Sequence, residues 1–267
     1  MGRDTRPPAV AGRFYPADRT ALAHEVDRLL DAVPAAGTGP ANAYVVPHAG
    51  YRYSGFTAAH VYARLREHAA TVARVVLVGP AHYVPLAGCA VPSTQRWLTP
   101  LGELAVDLHG VRALVADGHA TVDDAPHAPE HALEVQLPFL QRVLPDGVPI
   151  LPIVVGRSSV DDVLFTLAAA LSAGPAGTVV LCSTDLSHYL DDEAARRQDA
   201  RTARAVLDLA PERIAQRDAC GVYALRGVVG WARYQRLGAE QLHLCTSADT
   251  TGDRARVVGY AAFAFSG

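Results

Sequence analysis

The sequence predicts a single α/β domain in which a largely parallel central sheet is flanked by helices. Short runs rich in Val, at 43–47, 75–79 and 178–181, are bounded by Gly and Pro and alternate with helical stretches, as buried parallel strands do. The chain has 267 residues, which is near the upper size for one hydrophobic core, and it contains no internal repeat or linker. We therefore expect one domain over residues 1–267.

Apolar periodicity and capping residues place the elements in order along the chain. Asp18 is predicted to cap a helix that runs to about Val33, and 37–40 is predicted to be a loop before the first strand. The region 86–106 is rich in Gly and Pro, which favours short strands or a hairpin over a helix. The remaining predicted helices lie at about 56–67, 107–117, 131–143, 159–173, 192–209 and 220–236, and the remaining strands at 149–155, 240–246 and 255–265.

Composition excludes several classes of protein. Half of the residues are hydrophobic and 19% are charged, so the chain is not disordered. The net charge of −3 provides no basic surface, and we expect neither a nucleic acid nor a membrane as partner. The most apolar stretch, 163–182, is interrupted by Gly174 and Pro175 and is too short to span a bilayer. Four scattered cysteines without a CxxC pair, and no signal peptide, indicate reduced thiols and a cytoplasmic location.

Three histidines follow the ends of three predicted strands. His48 and His82 come after the first two Val-rich runs, and His188 follows the third. Any one of them alone is most simply an ordinary loop residue. Because the carboxyl ends of parallel strands meet at one edge of a sheet, however, their recurrence predicts a shared metal or proton-transfer site. Asp185, three residues before His188, either caps the next helix or orients the His188 ring.

Other residues near these turns are candidates for the lining of a pocket. Tyr51 and Tyr53 lie in the glycine-flanked turn after His48. Glu130 and His131 are as apt to cap or pack as to touch a substrate, and His131 and Glu134 share a helix face at i, i+3, so both of these are pocket candidates.

A candidate for a third metal ligand lies after the strand predicted at 240–246. Asp249 supplies a carboxylate there, and two histidines with one carboxylate form the facial set that binds Fe(II) with open positions. Cys245, four residues earlier, is the rival ligand. The chain lacks the GxSxG, Walker A, GxGxxG and HExxH motifs, which removes local support for the common hydrolase, nucleotide-binding and zincin functions.

Six segments of the chain form a distinctive set of motifs. They are RPPAVAGRFYP at 6–16, PHAGY at 47–51, GPAH at 79–82, EHALEVQLPF at 130–139, STDLSH at 183–188 and TSADTTGD at 246–253. Together, in this order and from residue 6 to about 265, they closely resemble the MEMO family, whose bacterial members are often called AmmeMemoRadiSam system protein B.

The resemblance implies a fold like that of the class III extradiol dioxygenases of the protocatechuate 4,5-dioxygenase type, which hold non-haem Fe(II). Carried over by motif, His48 and His82 match the two histidine ligands and His188 matches the acid/base histidine. The third ligand comes from the segment 246–253, where animal members have a cysteine and this chain offers Asp249. Cys245 stays open as an alternative. The chain departs from the family pattern at Ala248 and Leu244, where Gly and an aromatic residue are usual.

Three functions are consistent with these features. The first is an Fe(II)- and O₂-dependent oxidoreductase that acts on a small phenolic or catecholic substrate, with His188 moving protons. The second is a non-enzymatic iron- or copper-binding redox protein that acts through a protein partner or as a homo-oligomer. The third is a metal-dependent hydrolase. Iron is the expected metal, with copper and zinc as alternatives.

Overall fold

The computed structural model describes residues 4–35 and 37–267. The strands in this part of the chain are β1 (Thr5–Arg6), β2 (Ala43–Val46), β3 (Arg74–Pro80), β4 (Cys89–Val91), β5 (Arg96–Thr99), β6 (Gly102–Ala105), β7 (Thr121–Val122), β8 (Ile150–Val155), β9 (Thr178–Ser183), β10 (His188–Leu190), β11 (Gly238–Thr246) and β12 (Val257–Ser266). The helices are α1 (Arg19–Asp31), α2 (Tyr51–Glu67), α3 (Leu108–Ala116), α4 (Leu137–Val143), α5 (Val160–Ser172), α6 (Asp192–Leu207), α7 (Val222–Tyr234) and α8 (Ala248–Thr251).

A mixed sheet forms the centre of the fold. Its strand order is β10-β12-β2-β9-β3-β8-β4-β7, and β11 also pairs with β12. The four central strands β2, β9, β3 and β8 run parallel, whereas β12 and β4 are antiparallel to their inner neighbours. The prediction of an α/β fold with a largely parallel centre is therefore confirmed. The antiparallel strands that join it on both sides make the whole sheet mixed.

The central strands are almost entirely buried, which explains why they consist mainly of Val, Leu and Ile. Every residue of β2, β3 and β8 is buried, and five of the six residues of β9 are. Each fully buried Val, Leu or Ile side chain stabilises the fold by about 1.5–3 kcal/mol. These strands therefore form a rigid base for the loops that follow their carboxyl ends.

Two helices differ from the sequence prediction. Helix α2 begins at Tyr51 rather than near residue 56, and it continues through Gly55. A Cβ atom at Gly55 would lie 2.8 Å from Leu29 Cδ1, so glycine permits close packing of α1 on α2 and does not interrupt the helix. The predicted helix at 131–143 is a 3₁₀ turn, Glu134–Gln136, followed by the short α4.

The N-terminal segment lies against the rest of the chain. Strand β1 joins β5 and β6 in a small second sheet, in the order β1-β5-β6.

Among the helices of the described residues, none has both the length and the apolar character that crossing a membrane requires.

Candidate metal centre

The parallel strands bring two of the predicted histidines together. His48 follows β2 by two residues and His82 follows β3 by two residues, and β9 lies between these strands in the sheet. The centroids of the two imidazole rings are 5.1 Å apart, with the rings edge to face. The positions of the two histidines at the ends of parallel strands therefore predict correctly that their rings lie close together.

A cysteine from a distant part of the chain completes the group. The Sγ atom of Cys220 lies 3.2 Å from His48 Nε2. One ligand atom from each of His48, His82 and Cys220 lies within 4.8 Å of the others. Cys220 is held there because Gly221 packs on the end of β9, where an added Cβ would lie 2.9 Å from the Thr184 Cβ atom.

The hydrogen bonds around His48 fix its tautomer. Ser183 Oγ donates its only proton to the carbonyl oxygen of Ala132 at 2.7 Å and accepts a hydrogen bond from Gln136 Nε2 at 2.9 Å. It can therefore only accept from His48 Nδ1, which lies 3.0 Å away. Nδ1 carries the proton, and the lone pair of Nε2 points toward Cys220.

His82 is held in the same tautomer by a buried carboxylate. Glu130 Oε1 lies 2.8 Å from His82 Nδ1, and Glu130 Oε2 accepts the backbone N–H of His82 at 2.7 Å. Burial raises the pKa of Glu130, but the hydrogen bonds and charge of His82 outweigh it and bring the pKa to about 2. An ionised carboxylate only accepts hydrogen bonds, so His82 Nδ1 donates, and in the neutral ring Nε2 carries the lone pair. This carboxylate–histidine arrangement is the usual support of a metal-binding imidazole.

Burial disfavours the charged forms of His48 and Cys220 as long as no cation is near. Desolvation lowers the pKa of His48 well below its usual value, and the neighbouring His82 ring lowers it further. Desolvation also raises the pKa of the Cys220 thiol to about 12, with a contribution from the charge of Asp185. A bound cation reverses this balance for a thiol, since it favours the thiolate.

His131 lies directly beside the two histidines. Its ring centroid is 4.7 Å from that of His82 and 5.2 Å from that of His48. His131 Nδ1 is 3.3 Å from Glu130 Oε1, and the three residues His82, Glu130 and His131 form a second group of close ligand atoms. Desolvation and the proximity of His48 lower the pKa of His131 to about 4.

A cavity of about 330 Å³ opens beside this group of histidines. His188 lines it, and the Nδ1 atom of His188 donates to the carbonyl oxygen of Leu186 at 2.9 Å, which leaves Nε2 as the free nitrogen. Four further aromatic side chains line the cavity, those of Phe14, Tyr53, Tyr189 and Tyr260. The rest of the lining is Ala49, Gly50, His131, Asp185, Ser247 and Val258.

Asp185 contacts a different residue from the one expected. Its Oδ1 atom accepts the backbone N–H of His48 at 2.8 Å, while the His188 ring bonds to Leu186. Burial raises the pKa of Asp185, and the hydrogen bond from His48 opposes that shift. Asp185 therefore fixes the loop that carries His48, and it shares the cavity lining with His188.

Asp249 is not part of either group of close ligand atoms among the described residues. Its Oδ1 atom forms an ion pair with Arg196 at 2.7 Å, and its Oδ2 atom accepts the backbone N–H of Thr246 at 3.0 Å. The side chain is 45% exposed. The prediction that Asp249 joins His48 and His82 is thus not supported by the geometry, because a cation partner and a turn hydrogen bond hold it elsewhere.

Three further predicted residues make their contacts outside the candidate metal centre. Cys245 Sγ contacts Thr57 Oγ1 at 3.1 Å and is likewise outside the groups of close ligand atoms. Glu134 is buried and binds the N-terminal segment. Tyr51 is buried and donates its hydroxyl to the carbonyl oxygen of Val135 at 2.7 Å. Of the predicted pocket residues, Tyr53 and His131 line the cavity.

Sequence reasoning missed Cys220. The residue falls where a helix was expected to begin, and a lone cysteine 172 positions from His48 carries no spacing signal. The Cys-Gly pair at 220–221, just before a helix, was the available clue, because cysteines at helix N-termini are often reactive.

Comparison with known proteins defines the family. A family model described as "Memo-like protein" matches residues 6–264. The chain belongs to the Memo family. It is similar over nearly its whole length to the MEMO1 family protein MK0963 of Methanopyrus kandleri, with 34% identity and coverage of 97% of this chain and 98% of the relative. A MEMO1 family protein of Ignicoccus hospitalis is 36% identical, with the same coverage of each chain.

A solved structure supports the fold assignment. The uncharacterized protein JW3007 from Escherichia coli K12 superposes with a TM-score of 0.54 and covers 84% of this chain and 100% of its own. Its sequence identity is 12%, so the similarity concerns the fold alone. Membership of the Memo family, which the six sequence motifs predicted, is confirmed.

Proposed function

We propose that this Memo-family protein binds one redox-active transition metal through His48, His82 and Cys220 and oxidises a small phenolic or catecholic substrate in the adjoining cavity, with O₂ as the oxidant. One observation carries the proposal. Both imidazoles are fixed with the proton on Nδ1, and one ligand atom from each ring lies within 4.8 Å of the other and of the Cys220 thiol.

The donor distances fit a single ion. Metal–nitrogen and metal–sulfur bonds of about 2.1 and 2.3 Å place two ligand atoms of a near-tetrahedral site about 3.6 Å apart. The Cys220 Sγ atom and His48 Nε2 are 3.2 Å apart, so only a small adjustment brings both onto one ion. Three protein ligands leave a coordination position for a substrate, as in catalytic metal sites.

The residues around the cavity have separate tasks in this proposal. A bound metal supplies Lewis acidity and one-electron chemistry. The aromatic side chains Tyr53, Tyr189 and Tyr260 would exclude water from a phenolic ring. His188 presents a free Nε2 to the cavity and would accept the phenol proton. This proposal includes iron as the metal and a relation to the class III extradiol dioxygenases.

A second candidate function follows from the thiol. Two histidines and one cysteine form the donor set of copper electron-transfer centres, and copper favours thiolate. A non-catalytic copper protein that exchanges electrons with a protein partner would use the same three residues. The cavity of about 330 Å³ beside them favours the enzyme, because electron transfer requires no space for a substrate.

Metal analysis of anaerobically purified protein tests the site. The unmodified protein and a Cys245→Ser control should hold about one metal ion per chain, whereas His48→Ala and Cys220→Ser should lose it. With Cu(II) or Co(II), a sulfur-to-metal charge-transfer band should be present in the Cys245→Ser protein and absent in Cys220→Ser. Full occupancy in Cys220→Ser with loss in Cys245→Ser or Asp249→Ala would reject this ligand set.

Oxygen uptake with a panel of phenols and catechols then separates the two functions. The enzyme should consume O₂ with at least one member, and His188→Ala should lower the rate by about 100-fold or more while the metal stays bound. A metal-loaded protein that consumes no O₂ with any of them, yet cycles between two oxidation states, would favour the electron-transfer function.

A further inference from the structure

The rim of the cavity carries a tyrosine in an unusual backbone conformation. Tyr189 follows His188, lines the cavity and is 63% exposed. In the pairing of β10 with β12, His188 lies opposite Val258 and Leu190 lies opposite Val257, so Tyr189 is an extra residue in a β-bulge. Bulges commonly redirect a side chain next to an active site.

The bulge imposes a positive φ angle on this tyrosine. The φ of Tyr189 is 62°, in the left-handed region where glycine is the usual residue and a bulky side chain is strained. A mostly exposed side chain buries too little apolar surface to explain why tyrosine is placed there. A strained residue at a functional site is most simply explained by its side chain.

An arginine lies over the ring of Tyr189. The guanidinium carbon of Arg256 is 4.6 Å from the ring centroid, within the range of cation–π contacts. The rim repeats this pairing at Tyr53, where the guanidinium carbon of Arg52 is 5.4 Å from the ring centroid. Neither guanidinium forms an ion pair with a carboxylate in the described part of the chain, whereas several other surface arginines do.

We infer that Tyr189 and Arg256 recognise an aromatic substrate that carries an anionic group. The Tyr189 ring would stack against the aromatic part of the substrate. The guanidinium of Arg256 would form an ion pair with the anionic group. Arg52, next to Tyr53, would add a second positive charge at the rim. The inference rests on the proposed function, because it requires that the other end of the substrate reach the metal-binding residues.

A matched pair of probes tests the charge. The two probes are 4-hydroxybenzoate and 4-hydroxybenzamide, which share size and phenol group and differ in charge. Each is titrated calorimetrically into metal-loaded protein, and the metal content of each preparation is measured first. The variants are Arg256→Gln, Tyr189→Gly and Tyr189→Phe. Arg254→Gln is the matched control, because Arg254 is also exposed and lies two residues away, where it contacts Asp192 at 3.8 Å.

The acid should bind about 5-fold more tightly than the amide, which is what one exposed ion pair allows. Arg256→Gln should abolish this preference, and Arg254→Gln should keep it. Tyr189→Gly should weaken the binding of both probes without lowering the melting temperature, because glycine relieves the strain. Tyr189→Phe should bind as the unmodified protein does, because its ring is retained. A purely structural tyrosine would instead show a lower melting temperature in Tyr189→Gly and unchanged binding.

Several outcomes would overturn the inference. If metal-loaded protein binds both probes equally, or binds neither, the inference is overturned, whereas the proposed metal site is not. Equal effects of Arg256→Gln and Arg254→Gln would show that only the general surface charge matters. Absence of metal from the unmodified protein would instead reject the proposed function on which the inference rests.

Discussion

Two buried glutamates, four residues apart in one segment, act on different regions of the molecule. Neither Glu130 nor Glu134 is exposed to solvent. Glu130 binds the ring and backbone of His82, next to the cavity. Glu134 accepts hydrogen bonds from the N-terminal segment, namely from Arg6, the backbone of Ala9 and Val10, and the Tyr15 hydroxyl.

The difference shows how the partner of a buried carboxylate decides its role. Arg6 is a permanent cation, and its pairing with Glu134 at 2.7 Å fixes the position of the N-terminal segment. His82 is an imidazole with a second nitrogen, so the hydrogen bond that its Nδ1 donates to Glu130 directs that second nitrogen at the site. Loss of Glu134 should therefore be seen in stability, and loss of Glu130 in ligand binding.

The largest effect is expected at Glu134. Replacing it by leucine leaves the Arg6 guanidinium buried and unpaired, which should lower the free energy of unfolding by about 3–5 kcal/mol. Urea denaturation measures the change. Glu134→Gln, which keeps an acceptor oxygen, should lose less, and a leucine variant with unchanged stability would show that the N-terminal segment does not depend on this carboxylate.

Asp199 is another buried carboxylate, and among the described residues it forms no ion pair with a cation. Its two oxygens accept the backbone N–H and hydroxyl of Ser187, each at 3.0 Å, and burial raises its pKa to about 6. Asp218 raises this pKa further, while the hydrogen bonds from Ser187 and the charge of His188 lower it.

Because the folded state holds the Asp199 proton more tightly than the unfolded state does, Asp199 should reduce stability as the pH rises from about 4 to 6, by about 3 kcal/mol in total. Asp199→Asn can keep both hydrogen bonds, since the Ser187 hydroxyl can accept from the amide. The variant should match the parent near pH 4 and be more stable at pH 8. Denaturation curves at both pH values decide this, and an unchanged pH dependence would contradict it.

The Glu130→Gln substitution should weaken metal binding. An amide orients the His82 ring less firmly and lowers its basicity, so metal affinity should fall by about 10–100-fold with a smaller loss of stability. Competition with a chelator gives the affinity. If Glu130→Gln binds metal as the parent does but unfolds as readily as the Glu134 leucine variant, the two glutamates do not differ in role.

The smallest effect on metal binding is expected for His188. It lines the cavity but is outside both groups of close ligand atoms among the described residues. His188→Ala should therefore change metal affinity by less than about 3-fold, which is under 1 kcal/mol. The same chelator competition measures it, and complete loss of metal would make His188 a ligand.

The sequence predicted those parts of the site that depend on the sheet. His48 and His82 follow parallel strands, and the geometry of such strands brings their rings to one edge. Cys220 and Glu130 lie in loops, where the side-chain positions depend on packing between segments that are distant in the sequence. Asp249 had a plausible position after a strand, but its pairing with Arg196 could not be read from residues 53 positions apart.

His48, His82 and Cys220 come from three stretches separated by most of the chain, since His48 and Cys220 are 172 positions apart. An ion bound by all three closes long loops of the polypeptide, as a cross-link does. It binds only the folded chain, so at 100 times its dissociation constant it adds about 2.7 kcal/mol to the free energy of unfolding. The supply of metal would thus set the lifetime of the protein against proteases as well as its chemistry.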